Sequence, residues 1–233
     1  MIETQFEDQP AKVPWNLRDT IWGTLVAFGL FIGLMVAFVF LPVNITTIGL
    51  ILGLGELIFL LPVWWFSVRK YGIGWRSLGL GGFDAKELAI AFGLILIGYT
   101  VIGSYGMILG AFGLETPDTL TPVLEAGVGA GWLVLGAAIV APVIEEIFFR
   151  GFIFAGLKTR FDWKVAAVIS AIIFALNHLE PLTMFPIFVL GLLLAYMYQR
   201  SKSIWPAILM HTFINTCALI TTYAMYSGAV PSA

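Results

Sequence analysis

Charge is what this chain has least of. Only 11% of its 233 residues are Asp, Glu, Lys or Arg, while 60% are hydrophobic. A mean hydropathy of +0.96 excludes an ordinary soluble globular domain. Cysteine is almost missing as well. The single Cys217 cannot form an intrachain disulfide, and with neither CxxC nor Cys/His zinc spacing present, it is left a role in helix packing. A net charge of −2 and the lack of a basic patch interleaved with aromatics argue against a nucleic-acid partner. Residues 1–19, MIETQFEDQPAKVPWNLRD, contain acids and prolines but no apolar h-region, so they read as a short solvated arm and not as a cleavable signal. There is no internal repeat, which weighs against an inverted-repeat transporter.

What the chain has in abundance is long apolar runs. They fall at 20–41, 45–67, 87–113, 127–157, 163–178, 182–199 and 203–226, each a helix able to cross all or most of about 30 Å of hydrocarbon. The expected fold is therefore all-α, a polytopic transmembrane bundle of about seven helices, with a tail at 1–19 and one membrane domain at 20–227. Asp84 and Asp162 stand where N-caps of the third and fifth helices belong, and Pro181 separates the fifth from the sixth. Gly49/Gly53 and Gly127/Gly131 have the small-xxx-small spacing of close helix contacts.

The distribution of cations supports this division. Lys12 and Arg18 lie in the tail, Arg69, Lys70, Arg76 and Lys86 in the second connection, Lys158, Arg160 and Lys164 in the fourth, and Arg200 and Lys202 in the sixth. The alternate connections carry only Glu115, Asp118, Glu125 and Glu180. The excess of Lys and Arg belongs on the cytoplasmic side, so the N-terminus is expected inside and the C-terminus outside. Trp64, Trp65, Trp75, Trp163 and Trp205 fall near that same interface, as an aromatic belt would.

One cation does not belong to a loop. Arg150 sits with Glu145 and Glu146 in APVIEEIFFRGFIF, a run otherwise fit for lipid. Counted at the helical rise from the nearest lysine, Glu145, His178 and Asn215 each lie about 20 Å into the membrane, and His211 about 14 Å. A charge at the bilayer centre costs at least about 2.5–3.5 kcal/mol, so such groups face the bundle interior and find partners or water. Glu146 and Arg150, four apart, share a helix face and suit an ion pair, while Glu145 points about 100° away. Phe174 shares a face with His178, and His211 with Asn215. Pro142 removes the backbone hydrogen bond to the Ala138 carbonyl and can open the helix beside Glu145. Glu56, also about 20 Å deep, is a candidate cavity-lining residue.

EEIFFR, FALNH and HTFIN, in that order on successive apolar helices, resemble the EExxxR, FxxxH and HxxxN motifs of the CPBP family of intramembrane proteases. That family comprises CAAX prenyl endopeptidases of the Ras-converting type and bacteriocin-processing or self-immunity relatives. The likeness covers about residues 124–220. It implies that Glu145 and His178 activate a water that attacks the scissile carbonyl, that His211 and Asn215 stabilise the oxyanion, and that Glu146 and Arg150 set the position of Glu145. It implies a membrane-associated peptide or protein as substrate and no cofactor. Zinc, if bound, would take Glu145, His178 and His211, although the HExxH spacing is absent. The brevity of the chain resembles prokaryotic members, hence a plasma-membrane location. Two other readings compete, a noncatalytic scaffold or immunity protein and a proton-coupled transporter using Glu56, Glu145 and the histidines.

Overall fold

A computed structural model describes residues 13–41, 55–118 and 120–229. Among them there is helix and no strand. Helix α1 spans Leu17–Val39. Helix α2 is described as a 3-10 turn Gly55–Phe59, an α-turn Leu60–Val63 and a π segment Trp64–Arg69. Then follow α3 (Lys86–Ala111), α4 (Gly131–Leu157), α5 (Trp163–Asn177), α6 (Met184–Ser201) and α7 (Trp205–Tyr226). Of these, α1, α3, α4, α6 and α7 are long and apolar enough to cross a membrane. The seven runs read from the sequence thus correspond to seven helical elements. The first part of the second run, with Gly49 and Gly53, lies outside the described residues.

Polar contacts fix the alternating direction of the helices. Asp19 at the start of α1 pairs with Lys70 and Tyr71 at the end of α2. Glu87 at the start of α3 pairs with Arg200 at the end of α6, at 2.9 Å. Lys158, just past α4, donates to Gln199 of α6 at 2.6 Å. Ser203, before α7, donates to the Gly81 carbonyl at 2.7 Å. One end of the bundle therefore gathers the basic connections, as a charge-sorted membrane protein requires. Asp162 caps α5 by accepting the N–H groups of Lys164 and Val165. Asp84 accepts the Lys86 N–H, one position ahead of the Ala85 cap of α3.

Helix α4 is the centre of the bundle. Fifty-six per cent of its spanning window is buried, against 11% for α1 and 22% for α7, and every residue from Glu146 to Phe154 is buried. Phe148, Phe149 and Phe152 stack on or abut Phe59, Phe28, Phe174 and Trp15. Lipid is as apolar as these side chains, so the contacts hold through close packing and not through exclusion of water. Glycines permit the closest approaches. A Cβ on Gly156 would come within 2.0 Å of Thr20 Oγ1, and one on Gly23 within 2.6 Å of the Phe152 ring.

Two sequence expectations need correction here. Gly127 has φ 84° in the turn that ends the short helix Thr121–Glu125, and Gly131 has open space around it. A left-handed residue ends a helix, so Gly127 and Gly131 share no packing face. Nor is the solvated arm polar up to residue 19. Trp15 is fully buried, stacks on Phe152 and donates its indole N–H to the Phe152 carbonyl at 3.2 Å, and Asp19 is buried as well. An indole with an apolar body and one donor is satisfied by that wedge against α4.

Pro142 acts through the register of α4. Val134–Val140 is π-helical, and the Ala141 N–H donates to the Gly136 carbonyl, five residues back. Continuing that register, the missing N–H of Pro142 frees the Ala137 carbonyl in place of Ala138. The Asn215 side-chain amide of α7 donates to Ala137 O at 3.0 Å. A proline in a membrane helix is tolerated where a neighbouring helix re-satisfies the freed carbonyl, and here it pins α7 to α4.

Two outcomes follow for thermal unfolding in detergent. Gly156→Ala costs about 1–3 kcal/mol through overpacking against α1, whereas Gly29→Ala, in open space, is neutral or gains up to about 1 kcal/mol from helix propensity. Asn215→Ala costs about 0.6–1.7 kcal/mol, and less in a Pro142→Ala background, where the new N–H takes over the Ala137 carbonyl.

Candidate functional site

The site begins with a buried ion pair. Arg150 Nη1 lies 2.8 Å from Glu146 Oε1, and both side chains have no solvent exposure. Helical spacing of four brings them together, as the sequence indicates. Other elements supply further contacts to Arg150, although its Nε has no hydrogen-bond partner among the described residues. Nη2 donates to the Gly191 carbonyl of α6 at 3.2 Å, and the guanidinium lies 4.4 Å from the centre of the Phe174 ring on α5, an attraction that strengthens when both are desolvated. Gly191 is needed for this. A Cβ there would come within 2.9 Å of Ala171, so only glycine lets α6 bring its backbone this near α5.

Glu146 Oε1 also accepts from a second donor, His211 Nδ1 of α7, at 3.1 Å. Fixing the proton at Nδ1 turns Nε2 toward the other carboxylate of the doublet. Nε2 lies 3.6 Å from Glu145 Oε2. Imidazole thus stands between two glutamates that leave α4 in different directions. Glu145 and His211 are 6% and 2% exposed, so both work in a desolvated setting. Glu145 Oε2 has no hydrogen-bond partner among the described residues.

His178 reaches the site differently. Helix α5 has 15 residues, about 22 Å, too short to cross alone. His178 caps its end, and Leu179, with φ 55°, takes the left-handed conformation as the chain reverses. Irregular backbone at such depth belongs where it lines a wet cavity or is covered by protein, and His178 is exposed. Its Nδ1 lies 3.0 Å from the Phe174 carbonyl. A carbonyl only accepts, so Nδ1 carries a proton and Nε2 is the ring nitrogen left for other partners. The ring meets Phe174 edge-on at 5.0 Å, and the same phenyl meets His211 edge-on at 5.7 Å. Phe174 is therefore the spacer between the two histidines.

The residues chosen from sequence are thus arranged in two tiers. Glu145, Glu146, Arg150 and His211 touch or nearly touch; His178 stands one phenyl ring away, and Asn215 is engaged with α4. Glu56 belongs to the turn Gly55–Phe59, which packs on Ala141–Glu145. Sequence reasoning did not find Gly191 or the Ala137 carbonyl. Their only signals were a glycine inside an apolar helix and a proline whose hydrogen-bond register was not legible. Among the described residues no group of three or more His, Cys, Asp and Glu side chains is placed to hold a metal ion. Glu145, His178 and His211 do not converge as a zinc triad would.

Residues 127–217 match the family described as type II CAAX prenyl endopeptidase Rce1-like. A Bacillus subtilis (strain 168) protein named "Putative membrane peptidase YdiL" is 29% identical over 150 residues, covering 62% of this chain and 61% of that protein. No solved structure matches significantly. The matched region contains the whole of α4 through the middle of α7, with every motif residue of the site inside it. This integral membrane chain is therefore similar, over residues 127–217, to the Rce1-like CAAX prenyl endopeptidase family, and it spans less than two thirds of the length of the membrane peptidase it matches.

Proposed function

We propose that this chain is a CAAX-type intramembrane endopeptidase that hydrolyses a peptide bond in a membrane-associated peptide or protein. The observation that carries the reading is the Glu145 carboxylate, which is buried, unpartnered at Oε2 among the described residues and held 3.6 Å from His211 Nε2. An acceptor of this kind, inside a low-dielectric bundle, is placed to take a proton from water.

In the reaction, Glu145 accepts one proton of a water molecule while the water oxygen bonds to the scissile carbonyl carbon. His178, through Nε2, orients that water from the exposed side. The carbonyl π electrons move onto oxygen, and the resulting oxyanion is stabilised by the second N–H of the Asn215 amide and by the His211 imidazole with a proton also at Nε2. Collapse breaks the carbon–nitrogen bond, and the proton held by Glu145 passes to the leaving nitrogen. Glu146 and Arg150 touch no reacting atom. They hold His211 Nδ1, and so decide which ring nitrogen faces Glu145. On this reading the basic end of the bundle faces the cytoplasm of a prokaryotic cell, and no cofactor takes part.

The test is cleavage by the full chain in phospholipid vesicles. The probe is a library of internally quenched peptides in unmodified, N-acylated and C-prenylated forms. Glu145→Gln and His178→Ala are expected to lower kcat about 10²–10⁴-fold with unfolding temperatures near wild type, and a strong chelator to leave the wild-type rate unchanged. Cleavage that survives Glu145→Gln, or no cleavage of any probe, contradicts the assignment. Proton flux that depends on Glu56 would favour the transporter reading instead.

A further inference from the structure

Burial is distributed unevenly along the helices. Among the described residues, α1 is buried only between 19 and 27, α5 between 166 and 175, and α6 between 190 and 198. Apart from Leu109 and Leu219, the buried residues of α3 fall between 87 and 98 and those of α7 between 206 and 211. Because α1, α3, α5 and α7 begin at the basic end and α6 finishes there, the main core fills the half of the bundle that carries the basic connections.

That half is also plugged. The connection between α2 and α3 folds back into it through the turn Trp75–Leu78. Leu78 is fully buried, and its carbonyl lies where a Cβ on Gly151, the residue after Arg150, would come within 2.7 Å. The Ile204 N–H ties the connection down by donating to the Gly79 carbonyl at 2.9 Å, beside the Ser203 bond to Gly81. Phe148, Phe149, Phe152 and Phe154, all without exposure, occupy α4 between Glu145 and that end. A close-packed interior holds few voids larger than a water molecule, so this half admits no hydrated peptide.

The other side of the site is built differently. A second, small apolar cluster of Leu124, Val128, Leu133, Ala138 and Leu219 stands apart from the main core. Between the two clusters run residues 139–141 of α4 and 212–218 of α7, none of them buried. Glu145 lies one turn past Ala141 and His211 directly precedes residue 212, so both sit where the main core borders this gap. Asn215 crosses the gap to reach Ala137. Helix α5 ends at about the same depth, with His178 exposed and Leu179 76% exposed. Glu145 is about 20 Å from the basic connection after α4, which leaves about 10 Å of a hydrocarbon layer of about 30 Å on the far side.

We infer that the site opens at the end of the bundle opposite the basic connections, so that the proposed endopeptidase takes membrane-anchored peptides whose scissile bond lies on the noncytoplasmic side and excludes tails that stay in the cytoplasm. This deepens the endopeptidase reading and rests on it, and the side follows from the sorting of the basic connections. About three residues of extended chain, at about 3.3 Å each, carry a peptide bond from that surface to the depth of Glu145.

Two measurements test the inference, one of them independent of catalysis. Ala218 is exposed one turn beyond Asn215 on the α7 face that carries His211, and Ala207 is fully buried one turn from His211 in the opposite direction. In a Cys217→Ser background, Ala218→Cys and Ala207→Cys are treated with a membrane-impermeant sulfonated thiosulfonate, in intact spheroplasts and after lysis. The reagent needs an accessible thiolate. Ala218→Cys is expected to be labelled in intact spheroplasts, and Ala207→Cys neither before nor after lysis, with melting temperatures showing that both variants fold. Labelling of Ala218→Cys only after lysis, no labelling of it at all, or labelling of Ala207→Cys on lysis would overturn the inference. The second measurement uses the full chain with an affinity tag ahead of α1, in vesicles sorted by whether the tag is outside or inside. The fastest-cleaved peptide of the library is added outside, where its polar backbone does not cross lipid. Cleavage is expected where the tag is inside, is lost where the tag is outside, and becomes equal once detergent opens both populations. Equal rates before detergent, or the reverse pattern, contradict the entry side and leave the endopeptidase reading intact. No cleavage in detergent, or cleavage that survives Glu145→Gln, defeats the endopeptidase reading, and the inference falls with it.

Discussion

A guanidinium and a carboxylate with no access to solvent, Arg150 and Glu146, set the terms for everything around them. Removing two ions from water costs several kcal/mol each, and mutual attraction repays it only if further hydrogen bonds fill the remaining valences. Four elements answer part of that demand, leaving Arg150 Nε and Glu146 Oε2 without a partner among the described residues. Helix α4 supplies both ions, α5 lays the Phe174 ring under the guanidinium, α6 offers the Gly191 carbonyl and α7 donates from His211. The bundle is arranged so that these groups coincide. Where apolar packing gains little because lipid is equally apolar, a buried polar network gives the helices a defined rotation and depth.

Chemistry follows from what the ion pair leaves over. With Nδ1 of His211 committed to Glu146, its Nε2 is turned to Glu145, and Glu145 is left with a buried oxygen that has no partner among the described residues. The short α5 brings a second imidazole into the same layer, and Phe174 separates the two rings so that His178 can face outward while His211 faces α4. Pro142 and the π register of α4 add a third link through Asn215, whose amide fastens α7 to the Ala137 carbonyl. π segments recur at functional sites because the extra residue re-aims side chains within an otherwise regular helix.

Much of this was legible in the amino-acid sequence, and the reasons are physical. Alternation of basic and acidic connections divides the chain correctly because charge cannot cross lipid cheaply. The i,i+4 spacing of Glu146 and Arg150 gives their pairing because a helix allows little else. What escaped depended on relations between helices. Four glycines look alike in sequence, but Gly156 and Gly191 sit at close contacts, while Gly127 is a turn and Gly131 faces open space. Trp15, within an otherwise polar segment, carries no periodic signal, so its burial against Phe152 went unseen. The carbonyl freed by Pro142 was assigned to Ala138 because an α register was assumed where the helix adopts a π one. Depth counted along the helices placed Glu56 and Glu145 at the same level, but only the packing of α2 on α4 makes them neighbours.

The claim that the Glu146–Arg150 pair organises the bundle is tested most directly by a double-mutant cycle on unfolding free energy in bicelles. Arg150→Met and Glu146→Gln are made singly and together. Each single change is expected to cost about 3–5 kcal/mol, because it strands a buried charge or its partner. The double change should cost clearly less than the sum, leaving a coupling of about 2 kcal/mol or more. Single variants within about 1 kcal/mol of wild type, or strictly additive losses, would contradict the account.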